Sequence, residues 1–234
     1  MKQLAPKVWL VTGGFPGKTM NVYLIENPDG EGLTVFDAGV SSMVKTIQKA
    51  AAKLGKPISR VVLGHGHPDH RGAAPGLGVP VYCHSAERAD AEGDGGVHYF
   101  DFSLLKFTPA RFTMPRMLKL WDGGPVKITG TLEEGDDVAG FKVIHLPGHA
   151  PGLIGLWRES DRFALVSDTF YTLNPETGLP GAARVPHPAF NISTEQARAS
   201  IHKLANLEPA AAWSGHAKGL TGDVREQLEA VLAK

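Results

Sequence analysis

The sequence has a single cysteine, Cys83, in 234 residues. One thiol excludes an intrachain disulfide framework and any zinc site built from several cysteines. Net charge is lacking as well: 24 Lys+Arg balance 24 Asp+Glu, and no long run of one sign occurs. A chain without a broad electrostatic field is not held to nucleic acid or to a membrane surface by charge alone. Long apolar runs are also missing. No stretch approaches the roughly 18 apolar residues that span a bilayer, and Met1-Lys2-Gln3-Leu4-Ala5-Pro6 lacks the apolar segment of a secretory signal. The expectation is a cytoplasmic protein with neither a nucleic-acid nor a membrane partner. Its 42% hydrophobic residues are ample for a sizeable core.

The alternation of short apolar runs and turn residues predicts the elements. Lys7–Val11, Asn21–Glu26 and Leu33–Phe36 read as strands, the last two joined as a hairpin by Asn27-Pro28-Asp29-Gly30. Ser41 and Ser42 cap a helix to about Leu54, with Val44, Ile47, Ala51 and Leu54 on one face, and Gly55 and Pro57 end it. Strands follow at Ile58–Leu63 and Val79–Cys83, and a short helix at Ser85–Ala91. Residues 93–124 read as an irregular apolar insertion. Strands resume at Val126–Ile128, Phe141–His145, Ile154–Trp157 and Arg162–Val166. A helix at Thr194–Leu207, a strand at Ala210–Trp213 and a helix over about Thr221–Leu232 close the chain. Crossover helices are too few for a doubly wound parallel sheet. Two sheets with helices packed outside fit better. No linker interrupts residues 1–234, so one domain is expected.

Histidine is the residue in excess, ten in all, and the placement is uneven. His65-Gly66-His67-Pro68-Asp69-His70 puts four metal-ligand side chains within six positions, just after an apolar strand. Imidazole nitrogen and carboxylate oxygen suit zinc, and two adjacent metals need donors arriving from one tight loop. In an extended segment His65 and His67 point to one side, while Asp69 and His70 serve a neighbouring position as the chain turns at Pro68. A lone histidine is usually a satisfied polar residue. Several buried imidazoles beside a carboxylate without a cation are costly. His149, Asp168 and His216 each follow an apolar run, as donors do when loops meet at one sheet edge. His98, His145, His187 and His202 lack such a context, and Cys83-His84 reads as structural.

This pattern resembles the metallo-β-lactamase-fold hydrolases, from Phe36-Asp37-Ala38-Gly39 through the histidine cluster to Ser214-Gly215-His216. The resemblance implies an α/β (α+β) fold, a four-layer αββα sandwich with the site at one edge of the sheets. It implies that His65, His67 and His149 bind one metal, that Asp69, His70 and His216 bind a second, and that Asp168 bridges them. Asp37 then steadies the metal-binding loop without touching metal. Gly72-Ala73 stands where the family usually has Gly-Gly. Asp168, where true β-lactamases carry cysteine or serine, points to the glyoxalase II-like and lactonase-like branch. No long helical stretch follows His216, which weighs against glyoxalase II itself.

The expected cofactor is a pair of divalent ions, zinc first, with manganese or iron suited to the same donors. Two cations about 3.5–4 Å apart can hold a hydroxide between them and polarise a carbonyl. The expected function is hydrolysis of an ester, lactone or thioester in a small-molecule substrate, with Asp69 orienting the hydroxide or moving its proton. Phosphodiester hydrolysis and persulfide oxidation at a single iron are the alternatives on the same fold, and a non-catalytic metal-structured protein is a third class. Tyr171 reads either as an oxyanion donor, at a spacing from Asp168 similar to that in acyl-homoserine lactonases, or as a ring packed in its loop. The insertion, with Phe100, Phe102, Leu104, Leu105, Phe107, Phe112, Met114, Met117, Leu118 and Trp121, reads as core or a homodimer contact ahead of a substrate lid.

Overall fold

The computed structural model describes every residue except Pro16, Phe107 and Lys234, and leaves out the side chain of Thr108. Phe107 of the apolar insertion therefore lies outside the described residues. The first sheet has seven strands in chain order: β1 (Lys2–Ala5), β2 (Val8–Gly13), β3 (Met20–Glu26), β4 (Leu33–Phe36), β5 (Ile58–Val62), β6 (Val81–His84) and β7 (Gly130–Leu132). Its first four strands are antiparallel, and β4 to β7 are parallel. The second sheet is built from β8 (Asp137–Val138), β9 (Phe141–His145), β10 (Ile154–Arg158), β11 (Phe163–Leu165), β14 (Ala211–Trp213) and β15 (Leu220–Thr221). A separate hairpin pairs β12 (Tyr171–Leu173) with β13 (Pro180–Arg184).

Strand periodicity explains the layers. Along β3, Tyr23 and Ile25 point into a core shared by both sheets, facing Phe141, Val143, Leu156 and Leu165. The alternate residues Met20, Val22 and Leu24 point the other way, into a second core beneath α1 (Val44–Lys53) and α3 (Ala74–Leu77). In the second sheet Phe163 and Leu165 face the shared core, while Ala164 and Val166 face Ile201, Leu204, Leu228 and Val231. Those four belong to α6 (Thr194–Asn206) and α7 (Val224–Leu232). The central strands β3, β4 and β11 are buried on both faces, so they read as nearly continuous apolar runs. The order helix, sheet, sheet, helix is the αββα sandwich.

Two expectations about the middle of the chain need correction. Residues 93–124 are not wholly irregular: α5 runs over Thr108–Trp121 with Pro115 inside it. Pro109 and Pro115 read as breaks because proline has no N–H and crowds the preceding turn. Burial of Ala110 and Leu118, spaced by two turns, overrides that local penalty. Val126–Ile128 is not a strand. Both apolar residues are buried as loop, and the edge strand is β7. Two short helices, α2 (Pro68–Arg71) and α4 (Arg88–Glu92), complete the set.

Candidate metal centre

One topological fact gathers the loops. Strands β9 and β11 both run antiparallel to β10, and β14 runs parallel to β11. All three therefore point the same way, and their C-terminal ends share one edge of the sheet. The loops leaving those ends carry His149, Asp168 and His216. The other sheet meets the same edge: the amide of Ile154 bonds to the Gly64 carbonyl at 2.8 Å, and that of Asn21 to the Gly215 carbonyl at 2.8 Å. Past β5 the backbone is extended at His67, and Pro68 opens α2, where its missing N–H costs nothing. The first turn of α2 then supplies Asp69 and His70.

Two groups of donors result. One ring nitrogen from each of His65, His67 and His149 lies within 4.8 Å of the others, and so do single atoms of Asp69, His70 and His216. Asp168 stands between them. Its Oδ2 is 3.6 Å from His149 Nε2 and 3.2 Å from His216 Nε2, and its Oδ1 is 3.3 Å from His70 Nε2. Within the second group, His216 Nε2 is 3.4 Å from Asp69 Oδ2 and 3.3 Å from His70 Nε2.

The rear nitrogens of these rings are held, and the holders define the tautomers. Asn191 donates its amide hydrogens to the Pro186 carbonyl and Thr194 Oγ1, so its Oδ1 is left to accept from His149 Nδ1 at 3.0 Å. Ser167 gives its one proton to Asp37 Oδ2 at 2.8 Å and therefore accepts from His65 Nδ1 at 3.0 Å. Asp37 Oδ2 also accepts from His70 Nδ1 at 3.0 Å, while its Oδ1 accepts from the Gly64 amide at 2.7 Å. Each of these three rings consequently aims Nε2 toward the centre, presenting a lone pair there whenever the ring is neutral. Among the described residues, the buried Nε2 atoms of His65 and His149 and Asp168 Oδ1 have no hydrogen-bond partner. Converging lone pairs and a carboxylate oxygen are the donor set a divalent cation takes, so these residues fit a bound metal.

Comparisons with known proteins agree. The metallo-beta-lactamase superfamily model matches residues 17–216. The chain belongs to this superfamily. It is 28% identical over 228 residues to the probable metallo-hydrolase YflN of Bacillus subtilis (strain 168), covering 89% of this chain and 84% of that one. A metallo-beta-lactamase family protein from Thermus thermophilus superposes with a TM-score of 0.71 at 24% identity, covering 99% of this chain and 80% of its own. The protein TTHA1623, solved in a di-iron-bound form, gives a TM-score of 0.65 at 24% identity, covering 91% and 94%.

In this superfamily member, the structure gathers all the sequence-named donors, His65, His67, Asp69, His70, His149, Asp168 and His216, at the floor of one cavity of about 530 Å³ or immediately behind it. Tyr171 reaches the same floor, its ring 5.9 Å from His149 and 5.7 Å from His216. Burial, with the charges of Asp168 and Asp69, holds its phenol well above the ordinary value, so it stays protonated. Burial likewise holds His65 and His67 well below theirs, in the neutral form that can donate a lone pair. Burial opposes charge on His70 and His216 too, yet Asp168 and its neighbouring carboxylates keep His70 well above its ordinary value and His216 up to about 9. The two carboxylates of the site demand positive charge, which protons or cations can supply.

Several supporting residues were not singled out in the sequence. Tyr99 Oη meets His67 Nε2 at 2.5 Å. Glu87, fully buried, accepts from the Gly66 amide at 2.7 Å and the Gly152 amide at 2.6 Å, joining the His65–His67 loop to the His149 loop. A glutamate next to a short surface-like helix carries no local sign of that role. Ser167 had one signal, its place beside Asp168. The insertion does two things at once: Leu105 and Ala110 form a core cluster against which Phe100, Phe102 and Met114 pack, and Phe100, Ala110, Met114, Met117 and Trp121 line the cavity. His98 stands apart at the surface with Asp94 and Asp90.

Proposed function

We propose that the protein is a hydrolase that uses two divalent cations, zinc foremost, to cleave an ester, lactone or thioester bond. The observation carrying this reading is the set of buried, unpartnered donor atoms on His65, His149 and Asp168 beneath an open apolar cavity. A structural metal site is closed by protein on every side, whereas this floor faces a space large enough for a small molecule. His65, His67 and His149 would hold one cation and Asp69, His70 and His216 the other, with Asp168 reaching both. When bound, such a pair brings the pKa of water near neutrality and polarises a carbonyl oxygen.

The chain's own groups do the rest. Asp69 lines the cavity and is 15% exposed. Burial works against its charge, but His70 and His216 hold its carboxyl at about 2, so it is an acceptor throughout the neutral range. It can orient a water proton at Oδ2 and keep an oxygen lone pair aimed at the substrate. Tyr171, protonated, supplies an O–H donor where negative charge develops on a carbonyl oxygen. The apolar wall keeps bulk water from competing with these contacts. The nitrogen-rich donor set suits zinc, and iron is the second reading because the relative TTHA1623 binds a di-iron pair on this fold.

The test is elemental analysis together with a hydrolysis panel of lactones, thioesters, phosphodiesters and β-lactams. About two metal ions per chain are expected. His67→Ala and Asp168→Ala should lose metal and turnover while keeping the far-ultraviolet dichroism of the parent. A metal-free preparation that still hydrolyses the panel would sink the proposal. Oxygen consumption with a persulfide, in place of hydrolysis, would move the protein to the single-iron class.

A further inference from the structure

The chemistry of the cavity wall goes further than the reaction. Above the floor of donor residues, Phe100, Met114, Met117, Leu118, Trp121 and Phe190 form an apolar wall of the open cavity. No lysine or arginine lines it among the described residues. Lys18 sits between the lining residues Gly17 and Thr19, yet it is exposed and does not form part of the wall. The acidic groups that do line it are Asp69 and Asp168 at the floor and Glu176, whose Oε1 is 3.2 Å from His187 Nε2.

We propose that this cavity selects a substrate whose non-reacting part is an uncharged apolar acyl or aryl group, and that it rejects anionic ones. The inference rests on the hydrolase reading only in taking the cavity as the substrate's place. An anionic substituent held above the floor would shed its water against carbon and sulfur and find no lysine or arginine among the described lining residues. An acyl group ending in a carboxylate is therefore disfavoured beyond the reach of the metal floor. An alkyl or aryl group exchanges water for apolar contact along this wall. Met114 and Met117, unbranched and polarisable, let the wall adapt to chains of different shape. The α5 segment thereby acts as the specificity element, and the loops beneath it as the reaction centre.

Binding tests this without any turnover. Calorimetry on the metal-loaded protein would compare hexanoate, octanoate and suberate, each of which offers one carboxylate to the floor, suberate alone carrying a second at the far end of octanoate's chain. Octanoate should bind at least tenfold more tightly than suberate, and about fourfold more tightly than hexanoate for each added methylene. In Thr113→Lys, which places a cation at an exposed position on the cavity rim, the preference for octanoate over suberate should shrink severalfold. Equal affinities, tighter binding of suberate, or no binding by either monocarboxylate would overturn the inference. Binding in the expected order, with no ester, lactone or thioester cleaved, would leave the inference standing and remove the hydrolase reading instead.

Discussion

Ser167 shows how much rests on one hydroxyl. It sits at φ 43°, in the left-handed region that a non-glycine residue rarely occupies, and its partner Asp37 sits at φ 55°. The strain is offset by the Asp37–Ser167–His65 chain of hydrogen bonds, which fixes the His65 ring and its tautomer. Ser167→Ala should weaken metal binding by roughly 10–100-fold, the usual effect of losing a group that orients a metal-binding histidine. A chelator competition assay would measure it, and unchanged affinity would mean the ring is held by packing alone. Glu87 gives a pH signature. Burial pushes its carboxyl up to about 7 even though two backbone amides favour the charged form. With the folded pKa above the ordinary carboxylate value, its contribution is fully present below that value and is lost as pH rises through about 7. Stability should therefore fall across this window, by on the order of 3 kcal/mol from this residue. Glu87→Gln, which can satisfy only one of the two amides, should be less stable at low pH and show a flatter slope. Urea midpoints from pH 4.5 to 8 would decide, and parallel profiles would exclude the assignment.

Among the elements, the loop from β9 to His149 depends on a glycine for two independent reasons. Gly148 has φ 127°, and a Cβ there would lie 2.0 Å from the backbone nitrogen of Ala197 at the start of α6. The loop thus touches the helix backbone directly, and the Ser193 amide donates to the Gly148 carbonyl at 2.9 Å. Gly148→Ala should destabilise by clearly more than the ~1 kcal/mol typical of the glycine-to-alanine entropy effect, because the helix cannot move aside. Denaturant unfolding measures this, and a loss within a few tenths of a kcal/mol would show that the loop has room. In α5 the outcome ran against local propensity. Two prolines and a mixed polar face hide a helix whose buried side is Ala110 and Leu118.

At the scale of the whole molecule, the centre joins the two sheets. Its donors come from loops of both, so a cation bound to them would cross-link the sandwich. Chelation should lower the thermal midpoint, and re-adding zinc should restore it in a concentration-dependent way, because a ligand that binds only the folded chain stabilises by mass action. A midpoint indifferent to chelator, with metal loss verified, would mean the loops are held without it. The central strands are buried on both faces with or without a cation, so the expected cost falls on the rim of the sandwich rather than on its cores.

The sequence by itself determined the chemistry: the spacing of His65, His67, Asp69 and His70 is local, and local spacing with a turning proline is enough to identify a metal-binding loop. It determined the central strands as well, since alternating or continuous apolar runs report directly on one or two buried faces; the short edge strands β7, β8 and β15 and the β12–β13 hairpin carry no such run, and Val126–Ile128 is buried as loop. His149, Asp168 and His216 could be named from their position after strands, but only the shared direction of β9, β11 and β14 brings them to the same edge. The groups that hold the centre, Glu87, Tyr99, Ser167 and Asn191, were decided by the tertiary structure. Each acts through a hydrogen bond to a residue at least 32 positions away, and no pattern of near neighbours encodes such a contact. The fate of residues 93–124 was decided in the same way: whether an apolar stretch becomes core, lid or interface depends on which surface stands opposite it.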